Sequence, residues 1–388
     1  MDEKLGITQK TLSIAQSLLD KKCQVKIVSF APENSINERP TSGIDFVYFS
    51  PNNKWQMIDQ WLDQNISKGE LIWFRYPFAN SNFLNITKKW GAQMVLEHNT
   101  FETEEALITQ KKTWRNLTFR LSKSYIKFTW DTWIKKQTDE HRWGPLVMQS
   151  VLGGICVTHE ISDYEKSRHP TYKTFVLPNC IDDLDWPDLP QKPHRMSSRQ
   201  KWVMVIGNLS EWHGIGRLLQ ILHQKIPDHI HLQIDFIGIE NLDVFSPSSH
   251  SKIEINILGK MKSDDLKKKL LEYDLAIGSL ALHKISIQEA CPLKVREYWR
   301  CGLPVILAYR DSACIENKAL LNYNFQIPND NSPLPFTAIT EFLEKLNSNP
   351  DWKHQLQTTA KSTISYSAKT DALITFLKSL PYPVDHHS

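Results

Sequence analysis

Several features that would narrow the function are scarce in this sequence of 388 residues. Its six cysteines are scattered, at Cys23, Cys156, Cys180, Cys291, Cys301 and Cys314. They form no C-x-x-C pair and have no histidine cluster beside them. Structural zinc sites and disulfide scaffolds depend on such groupings, so the sequence predicts neither and suits a reducing cytosol. The formal net charge of +3 is too small to indicate a nucleic-acid partner.

Targeting signals are also scarce. The first residues, Met1 to Leu5, are charged and contain no apolar run, so we expect no signal peptide. No window approaches the apolar length of a transmembrane helix. These absences lead us to expect a cytoplasmic protein.

Strand-like and helix-like runs alternate along almost the whole chain. Among them, we expect strands at 275–277 and 305–307, a strand that ends in a turn at 176–179, and a helix at 351–380. This alternation predicts an α/β fold built from βαβ units with parallel sheets. The length suits two domains. We expect an N-terminal domain at 1–181, a linker at 182–200 rich in Asp, Pro, Ser and Lys, and a C-terminal domain at 201–360. Residues 361–388 are expected to form a helix that could cross back to the first domain. Two doubly wound halves would bind a ligand in the crevice between them.

The segment from Gln288 to Ile306 is the most informative part of the sequence. Pro292 suits the first turn of a helix, whose free amides and macrodipole favour a bound phosphate, and Lys294 adds a full positive charge. On one continuous helix, Glu289 and Glu297 would be separated by about 12 Å. A glycosidase needs its two carboxyls only about 5 to 9.5 Å apart. The spacing therefore suits two ends of one long ligand, such as a nucleotide sugar.

This E-x7-E block, followed by C-G-L-P-V-I, resembles the donor-site signature of family-4-type GT-B glycosyltransferases. Its wording E-A-C-P-L-K-V-R-E-Y is similar to a bacterial branch that assembles polysaccharides. The resemblance implies two Rossmann-like domains facing across a cleft. It also implies retaining transfer of a hexose from a nucleoside diphosphate sugar to a glycan or lipid-linked acceptor, in cell-surface polysaccharide synthesis. Neither a metal nor another cofactor is implied.

The resemblance also assigns donor-site residues. It makes Glu289 the catalytic residue that orients the sugar, and Glu297 the residue that holds the ribose. The other donor-binding residues that we expect are Gly207, Asn208, His213, Gly214, Arg217, Ala290, Cys291, Pro292, Leu293 and Lys294. Two cations of the family pattern are replaced, because Asn208 stands where an arginine is usual and His213 where a lysine is usual. Lys294 and Arg217 are candidates to substitute for them, and His213 could also serve if it is protonated.

In the N-terminal half, Gly6 and Lys10 resemble the family's glycine loop, and its usual first strand is expected to be missing. The residues expected to bind the acceptor follow two strands and are Arg75, Tyr76, Glu97 and Asn99. His98 is expected to aid proton removal. The alternative for Glu97 and His98 is a loop pair held by ordinary hydrogen bonds.

Basic and aromatic residues interleave between Lys111 and Lys136. One interpretation is an N-domain helix with a core-facing aromatic stripe and a solvated basic face. Another is an interfacial helix on anionic lipid, and a third is a surface for single-stranded nucleic acid, which nothing else supports. For the whole protein, a GT-B epimerase, a phosphorylase or a non-catalytic sugar-nucleotide or glycan-binding module also stays open.

Overall fold

The computed structural model describes residues 3–32, 43–50, 53–101, 123–182, 186–189, 199–207, 209–241 and 252–381. The chain divides into two compact units. The larger unit contains 1–17 and 178–369, and the smaller unit contains 18–177 and 370–388. This division differs from the expected N-terminal domain at 1–181 at both ends, because residues 1–17 and 178–181 belong to the larger unit. For residues 1–17 the reason is a buried helix face, on which Ile14 and Ala15 are covered and Ser13 Oγ donates to Asp182 Oδ2 at 3.3 Å.

The smaller unit follows a strand–helix order for most of its length. Helix α1 (Glu3–Asp20) belongs to the larger unit up to residue 17, and its last three residues belong to the smaller unit. The elements that follow in the smaller unit are β1 (Val28–Pro32), β2 (Asp45–Phe49), α2 (Lys54–Asn65), β3 (Ile72–Arg75), α3 (Ser81–Trp90), β4 (Met94–His98), α4 (Lys123–Ser150), β5 (Gly153–Cys156), α5 (His159–Arg168) and β6 (Thr174–Val176). Strands β3, β4, β5 and β6 form one parallel sheet in that order. Strands β1 and β2 form a separate parallel pair.

The two central strands of the β3–β6 sheet, β4 and β5, are covered on both faces. Met94, Val95 and Leu96 in β4 have no exposed surface, which explains why this strand is a continuous apolar run. Gly154 in β5 lies against the ring of Tyr172. A Cβ at this position would be 2.7 Å from the tyrosine hydroxyl, so the close packing requires glycine.

The larger unit contains a six-stranded parallel sheet in the order β14-β12-β10-β7-β8-β9. The elements are β7 (Arg199–Val205), α6 (Ile215–Leu219), β8 (His231–Ile237), β9 (Ile253–Ile257), α7 (Ser263–Leu270), β10 (Leu275–Ile277), β11 (Glu289–Ala290), α8 (Leu293–Arg300), β12 (Val305–Leu307), β13 (Arg310–Asp311), α9 (Ser312–Glu316), β14 (Asn324–Gln326), α10 (Phe336–Asn347) and α11 (Trp352–Ile364). The last helix, α12 (Tyr366–Lys378), begins in this unit, and its residues from 370 onward belong to the smaller unit. Strands β11 and β13 form a small parallel pair of their own.

The structure confirms the α/β class and most strands predicted from the sequence. It differs at three places. Gly6 lies inside α1, because that helix begins at Glu3, so the predicted glycine loop is wrong. Residues 199 and 200 of the expected linker belong to β7. The predicted helix at 351–380 is two helices, because the backbone of Ser365 is extended between them. Within the described ranges, no helix has the length and apolar character needed to span a membrane.

Candidate functional site

The sheet of the larger unit reverses its direction of growth between β7 and β10. From β7 the chain adds β8 and β9 on one side and then returns to place β10 on the other. In an open parallel sheet, ligands bind beyond the carboxyl ends of the strands at such a switch point. Residues 207 and 209–214 follow β7 and residues 278–288 follow β10, so both segments begin at that position.

The segment after β7 is fastened to the segment after β10. Leu280 N donates to His213 O at 3.1 Å, and the His213 ring is largely buried with Nδ1 3.2 Å from Ser210 O. Gly214 has a left-handed backbone with φ of 71°, and a Cβ there would approach Leu280 Cβ to 2.8 Å. Glycine is therefore required by this packing. Gly207 directly follows Ile206 at the end of β7, and Asn208 lies outside the described residues.

Arg217 has a different role from the one we expected. Its Nη1 donates to Leu280 O at 2.8 Å and to Pro328 O at 3.0 Å, and its Nε donates to Ser332 O at 2.6 Å. Its Nη2 lies 3.2 Å from Ser332 Oγ and 3.5 Å from Asp330 Oδ1. A guanidinium has five N–H donors, and these contacts account for all of them. Arg217 therefore clamps the 328–332 loop, and we no longer expect it to contact a diphosphate.

Glu289 and Glu297 do not share a helix, so the spacing of about 12 Å for a continuous helix does not apply. Glu289 lies in β11, paired in register with Arg310 of β13. Pro292 is the extended N-cap residue of α8, which begins at Leu293 as the proline predicted. The chain therefore turns between the two glutamates, at Cys291 and Pro292.

The two glutamates also differ in their surroundings. Glu289 is buried, and its Oε1 accepts a hydrogen bond from Ser312 Oγ at 2.7 Å. Glu297 is partly exposed and forms an ion pair with Arg300, one turn later on α8. Ala290 separates Glu289 from the turn. Glu289 is thus held rigidly, whereas Glu297 is at the surface of its unit.

Lys294 combines a buried ammonium with a strongly lowered pKa. Its Nζ is buried and has no hydrogen-bond partner within the described part of the chain. Burial lowers the pKa of this ammonium to about 7, because the charged form loses its hydration and gains no protein partner. Lys294 is also the second residue of α8, where the backbone N–H groups of Leu293 and Lys294 have no partner inside the helix. A buried cation beside free amides at a helix N-terminus favours an anionic ligand.

The turn that precedes Lys294 is fixed by Asn179. The Asn179 backbone N–H donates to Cys291 Sγ at 2.9 Å, and Asn179 Nδ2 donates to Cys291 O at 2.6 Å. Burial raises the pKa of the Cys291 thiol to about 12, and the positive charge of Lys10 is among the groups that oppose this shift. We expected Lys10 to approach from the other domain. It instead belongs to the same unit as Cys291 and Lys294.

Sequence reasoning missed Arg296, Asp311 and Asn179, which surround this turn. Arg296 and Asp311 form a fully buried ion pair between α8 and β13. Nothing in the sequence marks the pair, because the two residues are fifteen positions apart and lie in different elements. Asn179 was visible only as part of the turn after β6.

Strand register in the smaller unit brings together two of the residues expected to bind an acceptor. Arg75 and Glu97 are direct register partners at the carboxyl ends of β3 and β4. Arg75 is exposed, and Glu97 accepts a hydrogen bond from Trp73 Nε1 at 3.3 Å. Tyr76 is buried and its hydroxyl donates to Glu140 at 2.7 Å. Asn99 follows β4 and is half-buried.

His98 is fully buried, which disagrees with the predicted role in proton removal. Its Nε2 lies 3.1 Å from the Tyr172 hydroxyl and its Nδ1 lies 3.5 Å from Glu165. Burial lowers the pKa of His98, and this effect outweighs the attraction of Glu165. Both ring nitrogens thus have protein partners. The structure supports the alternative interpretation, a histidine held by ordinary hydrogen bonds.

Two further regions bear on the sequence predictions. Of the basic and aromatic stretch at 111–136, residues 111–122 lie outside the described residues and residues 123–136 belong to α4. Among the described residues, no group of three His, Cys, Asp or Glu side chains is arranged to hold a metal ion.

No protein-family model matches the chain, and no curated protein matches it. Solved structures do. A glycosyltransferase from Rickettsia africae ESF-5 superimposes with a TM-score of 0.57 at 12% identity, covering 96% of this chain and 94% of the other. An alpha-glucosyltransferase in complex with UDP and a 13-mer DNA containing an HMU base gives 0.54 at 9% identity, covering 96% of both chains. Anabaena Alr3699/HepE in complex with UDP gives 0.52 at 12% identity, covering 92% and 100%. The chain therefore has the mixed α/β, parallel-sheet fold of GT-B glycosyltransferases.

Proposed function

We propose that this protein is a glycosyltransferase whose larger unit binds a nucleoside diphosphate sugar at the N-terminus of α8. The observation that carries the proposal is Lys294, whose buried Nζ has no hydrogen-bond partner among the described residues. An unpaired buried ammonium is costly, and a bound diphosphate would offset that cost. Its place beside the switch point of a parallel sheet supports the same ligand.

The chemistry follows from the groups around that position. Lys294 and the first amides of α8 stabilise the charge that develops on the leaving diphosphate, and this kind of preorganised stabilisation is usually the largest catalytic contribution. Glu289, held by Ser312, orients the transferred sugar. Glu297 lies about one turn after Lys294 on α8 and binds the ribose hydroxyls. We also propose that His213, Gly207 and Asn208 lie along the diphosphate.

The finer assignments rest on the family resemblance. We propose that the reaction transfers a hexose with retention at the anomeric carbon and needs no metal. The acceptor is a glycan or lipid-linked glycan in polysaccharide synthesis. Arg75, Glu97 and Asn99 in the smaller unit bind it, whereas the buried Tyr76 hydroxyl is engaged by Glu140. The basic stretch at 111–136 contacts anionic lipid.

A thermal-shift screen against UDP-, GDP-, TDP- and ADP-sugars, with and without magnesium, tests donor binding, since a ligand that binds only the folded state raises the melting temperature. We expect a shift with one nucleotide that does not depend on magnesium and is reduced in Glu297→Ala. The matched control is Glu254→Ala, because Glu254 also pairs with an arginine, Arg199, but lies on β9. A shift lost equally in both variants, or no shift with any nucleotide, would contradict the donor site.

Product analysis then separates transfer from the alternatives. Released nucleoside diphosphate together with a glycosylated acceptor supports the proposal. Turnover without an acceptor would indicate an epimerase, turnover with free phosphate would indicate a phosphorylase, and binding without turnover would indicate a binding module.

A further inference from the structure

Arg296 is a fully buried side chain on α8 that faces two different segments of the larger unit. Its Nη1 and Nη2 donate to the two carboxylate oxygens of Asp311, at 2.5 Å and 2.6 Å. Its Nε donates to the backbone oxygen of Asn179 at 3.0 Å. The guanidinium therefore connects β13 on one side with the 178–182 segment on the other.

The Asp311 side of this network leads to Glu289. Asp311 is the register partner of Ala290, and the neighbouring Arg310 is the register partner of Glu289. Ser312, the next residue after Asp311, donates its hydroxyl to Glu289 Oε1 at 2.7 Å. Any displacement of β13 relative to α8 would therefore move the Glu289 carboxylate.

The Asn179 side leads to the start of α8. Asn179 fixes Cys291 through two hydrogen bonds, from its backbone N–H to Sγ and from Nδ2 to the carbonyl oxygen. Cys291 immediately precedes Pro292, the N-cap residue of the helix that carries Lys294. The segment from Glu289 to Lys294 is thus braced from both sides by one guanidinium.

A buried ion pair of this kind is weak evidence for stability, because desolvation offsets most of the attraction and apolar replacements are often neutral. What Arg296 contributes instead is a fixed geometry, since its planar fork binds a carboxylate in one orientation. We propose that Arg296 is a positioning residue that sets Glu289 and the α8 N-terminus relative to each other without touching the donor. This proposal rests on the function proposed above.

The test compares two variants with a control on the same helix. Arg296→Met combined with Asp311→Asn removes the ion pair without leaving a buried charge, and it keeps Oδ1 as the acceptor for Ala313 N at the start of α9. Arg296→Lys keeps the charge but loses the fork. The control, Tyr298→Phe, removes another buried contact of α8, the hydrogen bond from Val205 N to the Tyr298 hydroxyl at 2.8 Å. Hydrogen exchange of peptides covering 289–294 is measured together with the melting temperature and with kcat and KM for the donor.

We expect both Arg296 variants to exchange about tenfold faster at 289–294 than wild type, because local opening no longer breaks the braced contacts. Their kcat should fall about 10- to 100-fold while KM for the donor changes less, since a misplacement of about 1 Å can cost a hundredfold in rate. Tyr298→Phe should lower the melting temperature without changing either quantity.

Unchanged exchange at 289–294 in both Arg296 variants would overturn the proposal, whether or not the wild type uses a nucleotide sugar. Faster exchange with unchanged kcat would also overturn it, because the segment would then be ordered for stability alone. If the wild type binds and converts no nucleotide sugar, the proposed function fails, and the exchange measurement still decides whether Arg296 orders this segment.

Discussion

Both units of this protein bury charged side chains, and these side chains differ in whether other protein atoms complete their hydrogen bonds. In the smaller unit, Arg168 pairs with both Glu140 and Glu165, and Glu165 lies beside His98. Glu140 also accepts from the Tyr76 hydroxyl and from Ala79 N, both at 2.7 Å. In the larger unit, the Lys294 ammonium is buried without any such partner in the described structure.

This difference separates a structural cluster from a candidate binding site. Buried polar groups in proteins are almost always hydrogen-bonded, so an unpaired one needs an explanation. Other protein atoms supply the hydrogen-bond partners of the cluster around His98, so this cluster is part of the folded structure and needs no ligand. The ammonium of Lys294 has no hydrogen-bond partner in the part of the chain that the structure describes, and an anionic ligand is the simplest group to supply one.

The largest effect is expected from Glu289→Ala. This change should reduce kcat by at least about 100-fold, because the sugar is no longer held in its reactive orientation. The buried Glu289 carboxylate is replaced by a small apolar group, and circular dichroism should show an intact fold. The comparison includes Ser312→Ala, which removes only the hydrogen bond to Glu289 and should cost less. Full activity of Glu289→Ala would remove this residue from the site.

Lys294→Met should weaken nucleotide-sugar binding by about 10- to 100-fold, since a hydrogen bond to a charged group contributes about 1.5–3 kcal/mol. The same change should raise the melting temperature of the unliganded protein at pH 6, because it removes an unpaired buried charge. Calorimetric titration and thermal melts measure the two effects.

A suitable control is Lys353→Met, which removes a buried lysine that does have a partner. Its Nζ donates to Tyr273 O at 3.3 Å. This variant should lose stability and keep its affinity for the nucleotide sugar. If Lys294→Met and Lys353→Met changed the melting temperature and the nucleotide-sugar affinity equally, the distinction between an unpaired and a paired buried lysine would fail.

The lowered pKa of Lys294 should make both stability and nucleotide-sugar affinity depend on pH. Its pKa is about 7 in the folded protein against 10.5 for an ordinary lysine, so the unfolded chain binds more protons between these values. The stability of the unliganded protein should therefore rise with pH across this range. Affinity for a nucleotide sugar should fall as pH rises above about 7, because an anion binds the charged form. Titrations at several pH values should show this dependence in the wild type and none in Lys294→Met.

The smallest effect on nucleotide binding is expected from His98→Ala. This change should lower the free energy of unfolding by about 2–4 kcal/mol, through a cavity and the lost contacts to Tyr172 and Glu165. Affinity for the nucleotide sugar should stay unchanged. His141→Ala, at an exposed position, is the control for both measurements. A large loss of nucleotide affinity in His98→Ala alone would show that the smaller unit's cluster is functional after all.

The lowered pKa of His98 should also make the free energy of unfolding decrease at acid pH. The pKa is lowered in the folded state from its ordinary 6.5, so the unfolded chain binds more protons below that pH. His98 therefore contributes stability above about pH 6.5 that is lost as the pH falls. Denaturant titrations of the wild type should show this loss, and His98→Ala should show less of it.

The pattern of apolar runs predicted the architecture well because it reflects burial. Strands at 275–277 and 305–307 were predicted with the bounds that the structure has, since each is fully buried and flanked by turns. Pro292 correctly indicated the start of α8. Long-range contacts were not predictable in this way. The grouping of residues 1–17 with residues 178–369 depends on contacts between segments far apart in the chain.

The sequence by itself determined the α/β class, most of the strands and the position of the candidate anion site, because periodicity, proline and charge act locally. Only the tertiary structure decided which of the charged residues are available to a ligand. It placed Arg217 in a clamp, His98 in a closed cluster and Lys294 without a hydrogen-bond partner in the described ranges. The reason is that a side chain's hydrogen-bond partners come from elements that the folded chain brings together, and no local pattern records them.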